Sequence, residues 1–169
     1  MPVAKSSEWG TPQALFDRLD MAFLFKLDVA ATTENTKCAQ FLSAPDGLIE
    51  PWVDGWSWCN PPYGRGIGDW TAKAVHEQAY GHQSVLLLPA RTDTVWWHRD
   101  VMAYATQIRF LVGRLRFEGA TSSAPFPSAL IVFGSSYPGH HLVCLSWDWR
   151  EAIRQRQMRR IDKERNATG

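Results

Sequence analysis

The chain has 169 residues, 45% of them hydrophobic and 21% charged, with a formal net charge of +1. These values fit one ordinary domain burying roughly 70% of its unfolded surface, and they exclude a disordered or collagen-like chain. The longest apolar runs, such as Ser84–Leu88 and Ala129–Phe133, fall far short of the ~20 residues a membrane span needs. Met1-Pro2-Val3-Ala4-Lys5 lacks the apolar core of a secretory leader, so a cytoplasmic location is expected. Cys38, Cys59 and Cys144 form no C-x-x-C pair and read as reduced thiols without a metal role. Charge is uneven along the chain. From Arg150 to Arg165 there are seven basic and three acidic residues, giving +4 against −3 for the 149 residues before them. Residues 150–169 therefore read as a basic helix or tail appended to a 1–149 domain, either solvated or reaching toward phosphates.

In chain order, Thr11 and Pro12 suit a helix N-cap followed by proline in the first turn. Leu15, Phe16, Leu19, Ala22 and Phe23 then recur at helical spacing. Phe25, Leu27 and Val29 alternate, so Leu24–Ala30 is predicted as a strand with Asp28 near its carboxyl end. A polar stretch around Asn35 leads to a short helix or loop carrying Cys38, Phe41 and Leu42, and Pro45-Asp46-Gly47 reads as a turn. Trp56–Cys59 is a second strand, stopped by Pro61 and Pro62, which have no N–H for a sheet ladder. A helix follows from about Asp69 to Tyr80, with Gly81 as its left-handed cap. Ser84–Leu88 is a buried strand. Asp93 or Thr94 is placed to cap a helix running to about Ala105. Ile108–Val112 is a strand, Leu115–Phe117 opens a hairpin, and Ser128–Phe133 and Leu142–Ser146 are further strands. This alternation predicts an α/β sheet with helices on both faces. Ligands of such sheets bind beyond the carboxyl ends of the strands, where Asp28, Asn60 and Pro89-Ala90-Arg91 would arrive.

The sharpest chemical signal is Asn60-Pro61-Pro62-Tyr63. Two prolines fix φ near −65° and stiffen the backbone before any ligand arrives. Asn60 offers an amide with one acceptor and two N–H donors, Pro61 a carbonyl with no competing N–H, and Tyr63 a flat ring. Together they can hold a planar group bearing an NH₂, with two acceptors for its two hydrogens and a ring against its face.

This N-P-P-Y after a strand resembles the catalytic motif of amino-group methyltransferases. The wider chain resembles the phage and prophage DNA N-6-adenine methyltransferases. The matching blocks are Trp9-Gly10-Thr11-Pro12; Leu27-Asp28-Val29-Ala30-Ala31 with Asn35; Trp58 to Gly64; Leu87 to Trp97; Gly113 to Phe117; and Pro125 to Ala129, spanning roughly residues 8 to 135. The resemblance implies a compact, Rossmann-like methyltransferase sheet using S-adenosylmethionine in a bacterial host cell. It also implies double-stranded DNA as partner, with the target adenine rotated out of the duplex. Asn60 and the Pro61 carbonyl would accept the two amine hydrogens, aligning the nitrogen for attack, Pro62 would keep the loop rigid, and Tyr63 would stack on the base. Trp9, Thr11, Pro12, Asp28, Ala30 and Asn35 would line the cofactor site, and no metal is needed. The chain departs from the pattern in having no G-x-G after Asp28. The acid for the cofactor ribose is also hard to place, with Glu34, Asp46 and Glu50 as candidates. Arg91, Arg114 and Arg116 are expected to face DNA, the last two on one face of a hairpin strand. The alternatives are an RNA or protein N-methyltransferase and an inactive nucleic-acid-binding relative.

Overall fold

The computed structural model describes residues 9–135, 141–151, 158, 159, 163, 165 and 166. Seven strands form one sheet in the order β2-β1-β3-β4-β6-β5-β7. They are β1 (Leu27–Asp28), β2 (Gln40–Phe41), β3 (Trp56–Cys59), β4 (Gln83–Pro89), β5 (Gln107–Leu111), β6 (Ser128–Phe133) and β7 (Val143–Trp147). The strands from β2 to β4 run parallel, β6 is antiparallel to both β4 and β5, and β7 is parallel to β5. The central strands β4 and β6 are buried almost throughout, which explains their unbroken apolar runs. The helices are α1 (Gln13–Phe23), α2 (Ala44–Ile49), α3 (Ile67–Ala79) and α4 (Met102–Tyr104), the last preceded by a π-helical turn at Trp97–Val101. No helix among the described residues is long and apolar enough to cross a membrane.

The α/β class and most elements agree with the sequence pattern, and the exceptions have physical reasons. The strand predicted over 24–30 shrinks to two residues. Leu24 caps α1 in a left-handed conformation (φ 54) and the Phe25 N–H donates to Asp20 Oδ1 (2.8 Å), so the ladder begins only where Lys26 N–H meets the Trp56 carbonyl (2.9 Å). Pro45-Asp46-Gly47 lies inside α2 rather than in a turn. Ser43 caps this helix, its hydroxyl accepting from Asp46 N–H (3.3 Å), and proline is tolerated in the first turn. Gly47 is required there, because a Cβ would come 1.9 Å from the Val29 carbonyl. Neither Asp93 nor Thr94 caps the helix after β4, and Thr94 Oγ1 donates instead to the Arg91 carbonyl (2.8 Å). The 115–117 segment is no hairpin strand. It belongs to the long β5–β6 connection, whose isolated ladder contact among the described residues is a bridge from Gly10 to Glu118.

The core is rich in tryptophan. Trp52, Trp58, Trp70, Trp97 and Trp149 are buried, and no tryptophan among the described residues is exposed. Each large side chain so buried contributes roughly 1.5–3 kcal/mol. Away from the strands' carboxyl ends, buried Glu77 ties α3 to the β3 approach. It accepts from Trp52 N–H (3.1 Å) and Lys73 Nζ (2.5 Å), and His82 Nδ1 lies 2.5 Å away. Of the basic tail, Arg154, Arg156 and Arg160 lie outside the described residues. Arg159, Lys163 and Arg165 are exposed, while Arg150 turns back to donate to the Arg114 carbonyl (3.0 Å).

Burial alone would raise the Glu77 carboxyl, but its bonds from Lys73, His82 and Trp52 outweigh that and hold it below the usual 4.5. Its stabilisation is therefore complete above pH 4.5 and lost as pH falls through the lowered folded value. Glu77→Gln is expected to cost roughly 1.5–3 kcal/mol at pH 7. The gap to wild type should close below pH 4.5, as read from urea midpoints across pH 3–7.

Candidate active site

At the carboxyl edge of the sheet, the ends of β1 and β3 and the chain entering α1 enclose a cleft of about 260 Å³. This is near the small end for small-molecule sites. Trp9, Gly10, Thr11, Asp28, Ala30, Asn35, Asn60, Pro61 and Pro62 all line it. The structure thus brings together three of the four motif residues and five of the six residues proposed for a cofactor. Pro12 is set aside from the cleft: its carbonyl accepts from Leu15 and Phe16 N–H to start α1.

Asn60 directly follows β3 and is clamped by the segment before α1. Its Nδ2 donates to the Trp9 carbonyl (2.5 Å) and to Thr11 Oγ1 (3.0 Å). A carbonyl can only accept, so this pairing fixes which end of the amide is nitrogen. Oδ1 is left buried with no partner among the described residues. An orphaned buried acceptor costs about 1–3 kcal/mol, and such a cost persists where function requires it. Thr11, expected to cap α1, makes no cap bond: Pro12 takes the N-cap position one residue later, and the Thr11 hydroxyl accepts from Asn60.

Asp28 ends β1 opposite Trp58 and is almost fully buried. Its carboxylate organises the loop that follows, Oδ2 accepting from Lys37 N–H (3.0 Å) and Oδ1 from Ala30 N–H (3.4 Å). Burial pushes this carboxyl above its usual value, opposed by those two N–H groups and the Lys37 charge. Asn35 braces the same loop, its Oδ1 accepting from Thr32 N–H (2.7 Å). Ala30 and Ala31 both reach the cleft, where small side chains leave room in place of a glycine turn. None of Glu34, Asp46 and Glu50 lines it; Asp46 is engaged with Ser43 Oγ (2.5 Å).

Tyr63 stands differently from an open stacking platform. Its ring is buried and meets Phe126 and Phe117 edge-on at 5.6 and 6.0 Å, and its hydroxyl donates to the Leu87 carbonyl (2.9 Å). Trp9 joins the same cluster, at 5.3 Å from Phe117 and 5.4 Å from Phe126. A phenol at a sheet edge gains by covering its ring and satisfying its O–H, and burial pushes it well above the usual phenol range. Cys59, buried beneath, is likewise pushed well up and stays a thiol. Arg91, Arg114 and Arg116 are exposed outside the cleft. The last two sit in an irregular loop, not a strand, and Arg116 Nε donates to the Ala120 carbonyl (3.0 Å). The residues missed in the sequence include Ser43, Ala44, Pro45 and above all Lys37. They carry no motif, and only the return of the chain through β2 places them here.

An α/β sheet with a cleft at the carboxyl ends of its strands defines a class of nucleotide-cofactor folds. A solved structure from Listeria monocytogenes, described as a class I S-adenosylmethionine-dependent methyltransferase, superposes with a TM-score of 0.51. It covers 93% of this chain and 72% of that one at 12% identity, a likeness of fold. The model of the DNA N-6-adenine-methyltransferase (Dam) family matches residues 1–155, and the chain belongs to that family. A DNA N-6-adenine-methyltransferase of Escherichia phage T1 is 31% identical over 102 residues, or 57% of this chain. The chain spans about two fifths (41%) of that relative's length.

Thr11→Val and Tyr63→Phe each delete one buried hydrogen bond and should each lower stability by about 0.5–1.5 kcal/mol in urea unfolding. An unchanged midpoint in either variant would remove that bond from the scaffold of the site.

Proposed function

We propose that the chain transfers a methyl group from S-adenosylmethionine to the exocyclic 6-amino group of adenine in DNA. The observation that carries this reading is the unpartnered, buried Oδ1 of Asn60 at the cleft wall. That acceptor is complementary to an N–H of an entering amine. The Pro61 carbonyl beside it accepts no hydrogen bond from the described residues and is free for the second N–H. Two acceptors held in place before the ligand arrives localise the amine's lone pair away from the ring. This is fixed-dipole stabilisation of developing positive charge, combined with alignment.

The cleft fits the cofactor's chemistry. Asp28 supplies negative charge, Gly10, Ala30, Ala31 and Ala44 supply space, and Trp9, Thr11 and Asn35 supply the walls. Bound there, S-adenosylmethionine would supply an electrophilic methyl group. Pro62 keeps the acceptors rigid, and Tyr63 walls the base site with its ring while anchoring the loop to β4. On the DNA side, Arg91 follows β4 and Arg65 follows the motif, both exposed beside the cleft-bearing edge. They suit phosphate contacts that hold the duplex while the adenine leaves the stack, at a cost of a few kcal/mol.

Nucleosides from plasmid grown with the wild-type chain should contain N6-methyladenine. Asn60→Ala should abolish it while circular dichroism and thermal unfolding show a folded chain. Absence of methyladenine with the wild-type chain would overturn the reading, and incorporation of labelled methyl groups into RNA or protein instead would redirect it. Arg65→Ala combined with Arg91→Ala should weaken DNA binding and reduce the slope of log affinity against log salt by about 2.

A further inference from the structure

The cleft has one acid among its lining residues, Asp28, and one base, Lys37. The Lys37 backbone N–H is held by Asp28, yet its ammonium extends to different partners: Glu118 Oε1 (2.9 Å) and Oε2 (3.0 Å), and Gln13 Oε1 (2.9 Å). The Lys37 side chain is only 7% exposed, whereas that of Glu118 is 44% exposed. A half-solvated carboxylate is a weak partner, because water screens its charge and its side chain retains entropy. The other partner, Gln13, is neutral. A largely desolvated cation, carried by a residue that lines the cleft, therefore has a half-exposed carboxylate as its counter-charge. In such surroundings a carboxylate entering from the ligand side interacts more strongly than one in water.

We propose that Lys37 receives the α-carboxylate at the amino-acid end of S-adenosylmethionine. This deepens the cofactor reading above and rests on it. The ammonium has three N–H donors, so the ligand carboxylate shares it with Gln13 and partly displaces Glu118 toward solvent. Asp28 is the complementary group. Its negative charge favours the cationic part of the same ligand, so the two lining charges discriminate a zwitterionic amino-acid end from a neutral nucleoside. Lys37 is a binding residue in this scheme and takes no part in methyl transfer.

The test is a cycle between one protein group and one ligand group, read by calorimetry. Wild type should bind S-adenosylhomocysteine on the order of 10-fold or more tighter than its decarboxylated analogue. Lys37→Met should bind the two within about 2-fold of one another, having lost affinity for the carboxylate-bearing ligand alone. Lys37→Arg should restore much of the preference. If Lys37→Met weakens both ligands equally, the lysine only clasps the loop and the proposal fails. A second variant keeps the question open should Lys37→Met not fold. Glu118→Gln removes the competing charge and should tighten S-adenosylhomocysteine several-fold while leaving the decarboxylated analogue unchanged; equal effects on both would overturn the proposal. Failure of the wild-type chain to bind S-adenosylhomocysteine at all would overturn the underlying cofactor reading instead.

Discussion

The geometry of this site turns on an amide that has been given only half of what it needs. Trp9 and Thr11 together occupy both hydrogens of Asn60 Nδ2, and the opposite oxygen is buried without a donor. Rotating the amide would set its oxygen against the Trp9 carbonyl, so the orientation is locked by repulsion as well as attraction. The two prolines stiffen the backbone that carries the next carbonyl, and Pro61 lines the same cleft. A site built in this way has met its organisation cost during folding, which is the condition for strong electrostatic catalysis.

The rest of the sheet edge serves that arrangement. Residues 9–12 do two jobs: Trp9 and Thr11 clamp Asn60, and the Pro12 carbonyl starts α1. The β5–β6 connection roofs the motif through Phe117 and Phe126, and bridges to Gly10 through Glu118. Tyr63 connects this roof to β4 through the Leu87 carbonyl. The wall at the end of β1 is organised around Asp28, whose carboxylate gathers the N–H groups of Ala30 and Lys37. One loop therefore links the acid at the end of β1 to the lysine, and through Glu118 to the aromatic roof. The Asp28 and Asn60 sides of the cleft are mechanically joined.

Much of this was legible in one dimension. The N-P-P-Y segment states its chemistry through residue type alone, because donors, acceptors and fixed φ values are local properties. The buried runs of β4 and β6 and the periodicity of α1 and α3 are local as well. The failures share a cause: a tertiary partner outbid a local preference. Thr11 is an adequate helix cap by type, but α1 starts one residue later with Pro12 at the cap position, and the Thr11 hydroxyl faces Asn60. Pro45-Asp46-Gly47 spells a turn, but Ser43 capped it into a helix and the close approach of Val29 demanded the glycine. The hairpin expected at 115–117 found no neighbouring strand and became a loop spent on aromatic packing.

The sequence by itself determined the class of fold, the N-P-P-Y tetrapeptide and the acid at the end of β1, since each depends on neighbours in the chain. Only the tertiary structure decided the direction in which Asn60 points, the burial of Tyr63 and the arrival of Lys37 at the cleft. Those depend on contacts between residues up to 81 positions apart, and no local periodicity encodes which distant backbone carbonyl or carboxylate a side chain will meet.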